Sequence, residues 1–329
     1  MEMPSHAAQT LVRDSLVWDN TMPWGPDYAD GETWSRFHEA GVSLISLTVM
    51  GPEALLEGTV RQIAAVRAAI RAQPDRFVLC RTADDIVEAK RSGKLGLVFN
   101  LQETNMLESR LEMVQAYYDL GVRHMVLAYN ARNHVGDGCG ERSDGGLSRW
   151  GFEVLAEMNR VGMVVDGSHT GYRTTMDALA ACTAPFIFSH CNAYAVYPHY
   201  RNVRDDQIRA CADTGGVVGV NGMGEFLNDA EATSAGMFRH IDHMVQLVGA
   251  NHVGLGFDYV RDLPRFWGWR RANALVWPPA PIDLIGSAFA QPEQVTELTD
   301  VMLSAGYADQ DVRKILGENW LRIAREVWK

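Results

Sequence analysis

Several classes of protein are excluded by what this 329-residue chain lacks. Positive charge is in deficit: 30 Lys plus Arg stand against 41 Asp plus Glu, a net charge of −11. Proteins that bind nucleic acid or anionic membranes show the opposite balance. Long apolar runs are missing too, with no stretch of about 18 apolar residues that could cross a bilayer. The opening residues, MEMPSHAAQTLVRDSLVW, have no basic segment followed by an apolar core, so no signal peptide is expected. The five cysteines are odd in number and form no CxxC pair, which predicts free thiols in a reducing, cytoplasmic setting. No repeat, linker or low-complexity segment breaks the chain, which predicts a single domain over residues 1–329.

What is present is an alternation of short apolar runs with longer helical periodicity. Strands are predicted at 16–18, 42–49, 95–101, 124–130, 163–169, 185–190, 217–222 and 252–258. Several are near-continuous Val, Ile, Leu and Phe, the pattern of a parallel sheet buried on both faces. Helices are predicted at 52–72, 83–92, 108–120, 150–160, 172–182, 205–214, 235–248, 292–305 and 308–329, while 19–31 reads as loop. Gly41, Gly121, Gly162, Gly215 and Gly216 stand at helix-to-strand joints, where a left-handed residue closes the helix. Eight strands, each followed by a crossover, predict an α/β fold of the (β/α)8 TIM-barrel type. An open doubly wound sheet usually carries GxGxxG after its first strand, and residues 19–25 lack it.

In such a barrel the chemistry gathers at the C-terminal strand ends. Those ends are polar here: Asp19-Asn20-Thr21, Gln102-Glu103, Tyr129-Asn130, His169, His190 and Asp258. Asn20 and Asn130 are adequately explained as turn or cap residues. Two histidines in the same strand-end position on adjacent strands are better explained as ligands of one divalent cation, with a carboxylate completing the set. His240 and His243, three apart on a predicted helix, are expected to serve packing or surface instead.

The runs EMNRVGMVVDGSH (157–169), FSHCNA (188–193), RNVRDD (201–206), GGVVGVN (215–221), HVGLGFD (252–258) and GENW (317–320) follow one another in a recognisable order. With them the chain resembles the membrane (renal-type) dipeptidases of the amidohydrolase superfamily, (β/α)8 barrels that hydrolyse dipeptides at a two-zinc site. The resemblance implies that His169 and His190 bind one zinc. It also implies that Arg201 pairs with the substrate carboxylate, where a guanidinium fork suits bidentate contact. Asp258 would then take and return the proton of the attacking water.

The other half of the site departs from that pattern. The family's first-strand His-x-Asp falls on Asp19 and Thr21, with Pro23 fixing the register; its bridging glutamate falls on Gln102, and its substrate-contacting histidine on Tyr129. Glu103 stands one position late and is expected on the other side of the strand. Neutral Thr and Gln supply no charge to hold two dications together, so one metal, expected to be zinc, is predicted on His169 and His190. Asp19, Gln102 or Asp258 would complete its shell. The glycine-rich loop 133–147 reads equally as a flexible connection or a pocket wall, and the aromatic segment 266–271 as a cover or a subunit contact.

The sequence therefore predicts a metal-dependent hydrolase acting on a small amide or dipeptide-like molecule that bears a carboxylate. The alternative is a relative that binds a small ligand or runs another metal-assisted reaction such as decarboxylation. Neither nucleic acid nor membrane is an expected partner, and homodimers are common in the family it resembles.

Overall fold

The computed structural model describes residues 3–23, 31–50, 55–279, 284 and 286–329. Residues 24–30 of the expected first loop and 52–54 of the expected first long helix lie outside them.

Among the described residues nine parallel strands form the sheet: β1 (Trp18–Met22), β2 (Leu44–Thr48), β3 (Phe77–Leu79), β4 (Leu95–Leu101), β5 (Val122–Val126), β6 (Val164–Asp166), β7 (Ile187–Phe188), β8 (Val217–Val220) and β9 (Val253–Leu255). Eight of them close on one another, because β1 pairs with both β2 and β9, and β2 also pairs with β4. The fold is a (β/α)8 TIM barrel, and seven of the eight overlap the strands expected from the sequence; β1 shares only Trp18 with the expected 16–18 and runs on through 19–22, expected as loop, because Asp19, Asn20 and Thr21 carry no apolar strand pattern. The short β3 was not expected. It lies along the first half of β4, with Phe77 opposite Leu95, before β5 takes over that edge from Phe99 onward. Three residues of FVL carry too little pattern to stand out beside a long helix. Short helices His6–Asp14, Glu32–Glu39 and Leu263–Ala272 also escaped the periodicity reading.

Every residue of β1, β2, β4 and β5 is buried, as helices on the outside and side chains on the inside require. The N-terminal end of the barrel is closed by the last helix, Asn319–Val327. Its Trp320 joins Trp18, Leu44, Val98, Val164, Ile187 and Val217 in one apolar cluster and donates from Nε1 to Leu255 O at 3.1 Å. Gly254 makes room for that indole, since a Cβ there would stand 2.6 Å from the ring. No helix among the described residues is long and apolar enough to cross a membrane.

Barrel interiors are normally filled with layers of Val, Ile and Leu. This one carries a buried polar column instead: Ser46, Thr48, Asn100, His124, Asp166 and Ser189. Asn100 accepts from Thr48 Oγ1 at 2.9 Å and donates to Ser46 Oγ at 3.1 Å, and Ser46 Oγ meets His124 Nε2 at 2.9 Å. Burying such groups is tolerable only because each finds a partner.

Candidate active site

Three residues at the C-terminal mouth hold left-handed backbone conformations: Asn130 (φ 57°), His169 (φ 64°) and Asp258 (φ 58°). That region costs a non-glycine residue about 1–2 kcal/mol, least for Asn and Asp, so it persists where surrounding contacts enforce it. For His169 they are visible. Its carbonyl accepts from the backbone N–H groups of both Cys139 (2.8 Å) and Asn130 (3.2 Å). The loop 133–147 is thereby pinned against the site, and Gly138 bridges to Thr170. A Cβ at Gly138 would lie 2.1 Å from the Asn130 carbonyl carbon, so glycine is required for this approach. The loop is a pocket wall.

His169 and His190 converge: their Nε2 atoms lie 2.8 Å apart, with both rings buried. The opposite nitrogens meet an amide and two hydroxyls. His169 Nδ1 stands 2.8 Å from Asn130 Oδ1, an acceptor, so this nitrogen carries the proton. His190 Nδ1 stands 2.7 Å from Ser189 Oγ and 3.2 Å from Thr21 Oγ1, whose own hydrogen goes to Asn20 O at 2.6 Å. With Nδ1 of His169 protonated toward Asn130 Oδ1, its Nε2 directs a lone pair at His190 Nε2. Burial, reinforced by the Arg201 guanidinium, pushes His190 down to about 3 and His169 well below the usual imidazole range. Both imidazoles are therefore neutral, the form in which histidine ligates a cation.

The remaining predicted residues divide. Arg201 is buried, with Nη2 3.5 Å from His190 O, Nη1 3.7 Å from Cys191 Sγ, and no hydrogen-bond partner for Nε. Its face lies over Phe226 at 5.1 Å. It borders a cavity of about 190 Å³ shared with His169, Cys139, Tyr194 and Tyr200. Tyr129 stacks on the His169 ring at 3.9 Å between centroids, and burial raises its phenol pKa, so the hydroxyl stays neutral. Trp277 meets both rings edge-on, at 5.9 Å from His169 and 5.8 Å from Tyr129. It belongs to an apolar cluster with Phe226, Trp267 and Phe289, so the segment 266–271 helps to wall the mouth. Arg270 anchors that segment through a buried ion pair to Glu225, Nη2 to Oε1 at 2.6 Å.

Asp258 accepts from Asn221 Nδ2 at 3.0 Å, and its backbone N–H donates to Thr21 O at 3.0 Å. Asp19 accepts through Oδ1 from the backbone N–H of Phe257 (2.7 Å) and Thr21 (3.4 Å), leaving buried Oδ2 without a partner. Burial pushes both carboxyls up to about 7, and the charge of Asp258 adds to the effect on Asp19. Gln102 directs its amide to Thr48 Oγ1 at 3.1 Å. Glu103 lies on the other side, as its position implied. Its Oε1 accepts from Thr104 N at 2.7 Å and from Asn133 Nδ2, and its Oε2 from Tyr129 N at 3.4 Å.

His169 and His190 are convergent donors that could hold a cation. The facing Nε2 atoms are a ready pair of ligands, but among the described residues no cluster of three or more His, Cys, Asp or Glu has metal-ligand spacing. Thr21 and Gln102 bring no charge to a second position.

The raised carboxyls have a thermodynamic consequence. Between about pH 4 and pH 7 the folded chain holds protons on Asp19 and Asp258 that the unfolded chain releases, so their contribution to stability is lost as pH rises through that window. With chelator present, Asp19→Asn is expected to raise the denaturation midpoint relative to wild type more at about pH 8 than at about pH 4.5. A pH-independent difference would place Asp19 in a solvated setting.

Sequence reasoning missed His124, Asp166, Asn221 and Trp277. The available signal was a histidine and an aspartate inside the apolar runs of adjacent strands, RHMVLA and MVVDGS.

Residues 28–268 match the pattern of the membrane dipeptidase family, peptidase family M19. An amidohydrolase from Pseudomonas aeruginosa shares 30% identity and a TM-score of 0.87, over 98% of this chain and 99% of that one. An uncharacterised dipeptidase of Schizosaccharomyces pombe is 36% identical over 216 residues, 63% of this chain and 52% of that protein, so this chain spans about half its length. A Klebsiella pneumoniae protein encoded in the 5′ region of pqqA is 29% identical over 280 residues, covering 82% of this chain and 96% of that protein.

Proposed function

The chain belongs to the membrane dipeptidase family, a family of metal-dependent hydrolases, and on that premise we propose that it cleaves a small amide or dipeptide-like substrate bearing a free carboxylate. The observation that carries this reading is the convergence of two buried, neutral imidazoles, His169 and His190, with Nε2 atoms 2.8 Å apart. These two residues would hold one divalent cation, zinc by its preference for imidazole. When bound, it supplies Lewis acidity toward an amide carbonyl and toward water.

The chain's own groups then divide the work. Arg201 is a desolvated cation that lies on the Phe226 ring, makes only long contacts to a carbonyl and a thiol and leaves Nε unpartnered, an arrangement that favours capture of an anionic group. A substrate carboxylate seated there places the rest of the molecule in the cavity beside His169. Tyr129 and Trp277 pack on the His169 ring and shield it from water. Asp258, raised to about 7 and steadied by Asn221, can accept the proton of an attacking water and return it to the leaving amine.

Elemental analysis tests the reading. One zinc per chain is expected in zinc-replete protein, and none after His169→Ala or His190→Ala. Metal-free wild type under those conditions would overturn it. Neutral Thr21 and Gln102 favour a second reading, in which the barrel runs another metal-assisted reaction such as decarboxylation or only binds its ligand. Zinc uptake combined with inactivity on a full dipeptide panel would select that alternative.

A further inference from the structure

We propose that His124 and Asp166, buried beneath the mouth, are a positioning pair that sets the convergence of His169 and His190; the inference rests on the reading that these two imidazoles hold the cation. Asp166 ends β6, and its Oδ1 accepts two backbone N–H groups, from Ser168 at 2.9 Å and from Ser189 at 3.1 Å. Each of these serines immediately precedes a site histidine, one on each of two adjacent strands. One oxygen atom therefore ties together the two strand ends from which the imidazoles project.

The tie is itself held. Asp166 Oδ2 lies 3.2 Å from His124 Nδ1, and His124 Nε2 lies 2.9 Å from Ser46 Oγ, in the column that continues to Asn100 and Thr48. The side chains of Asp166 and His124 are 0% and 5% exposed, so water cannot replace either partner. Rotating the carboxylate would break bonds at both oxygens. Above it, Ser168 Oγ accepts from His190 N at 3.2 Å and meets Ser189 Oγ at 3.2 Å, and Ser189 Oγ meets His190 Nδ1 at 2.7 Å. The chain of contacts thus runs from the barrel interior to the ring of His190 without a gap.

A buried ionisable pair is weak evidence for stability, because desolvation offsets most of the attraction. Its yield here is geometric: outer contacts that orient metal ligands carry much of a site's affinity. A pair that merely filled the interior would influence folding but not the zinc affinity of the folded protein.

Zinc affinity of the full chain, measured by competition with a chromophoric chelator and with folding checked by circular dichroism, separates the two roles. His124→Phe and Asp166→Ala are expected to bind zinc about 10–100-fold more weakly than wild type. Asp166→Asn keeps an oxygen that can accept from Ser168 and Ser189, and is expected to stay within about threefold. Wild-type affinity in folded His124→Phe and Asp166→Ala would overturn the proposal, as would an Asp166→Asn loss equal to that of Asp166→Ala. If Asp166→Ala does not fold, His124→Phe carries the test. Should wild type take up no zinc, the functional reading fails, but the positioning pair is still decided on metal-free protein by imidazole 15N resonances, assigned through His169→Gln and His190→Gln. His124→Phe is expected to shift both sets, and unshifted resonances would overturn the proposal.

Discussion

Asp258→Asn is expected to lower kcat by about 10²–10⁴ while leaving KM within a few-fold, because a positioned proton acceptor contributes that much to hydrolysis. The amide preserves the shape of the carboxyl and its contact with Asn221, so the loss isolates proton transfer from packing. The wild-type profile should show the same group. Asp258 must be ionised to accept a proton, and burial raises its pKa to about 7, so kcat/KM is expected to rise with pH through that value. Retention of kcat within about tenfold in the variant would remove Asp258 from the proton path.

The second large effect is expected at Arg201. Arg201→Met keeps an unbranched apolar stem against Phe226 but deletes the charge that faces the cavity. For a substrate with a free carboxylate, losing one partner of a buried charge pair costs about 2–5 kcal/mol, or about 30- to several-thousand-fold in kcat/KM. The same substrate amidated at its C-terminus should be affected far less, since it has no charge to lose. Equal losses on both forms would show that Arg201 shapes the site through its contacts with His190 and Cys191 rather than through the substrate.

Much of this could be read from the sequence because the barrel repeats one local rule. Most of the eight closing strands lie in short apolar runs that give way to polar residues at the mouth, β1 with its WDNTM being the exception. That is why His169, His190, Asp258 and Tyr129 stand out before any coordinates are considered. Glu103 also followed the rule: one residue beyond Gln102 it points to the other face, where Thr104, Asn133 and Tyr129 engage it. His124 and Asp166 did not stand out, because a polar residue within an apolar run has no partner until the sheet closes.

The sequence by itself determined the alternation of elements, the barrel, the family and the residues that reach the mouth, all of which follow from periodicity and motif order along one chain. Only the tertiary structure decided that the two Nε2 atoms face each other at 2.8 Å, that Asp19 keeps an unpartnered oxygen, and that one oxygen of Asp166 ties both histidine-bearing strands. Apart from the bond of Asp166 to Ser168, these depend on groups tens to hundreds of residues apart. Hydrophobic pattern fixes which face a side chain joins, whereas hydrogen-bond distance depends on strand register and backbone turn, here the left-handed turns at Asn130, His169 and Asp258.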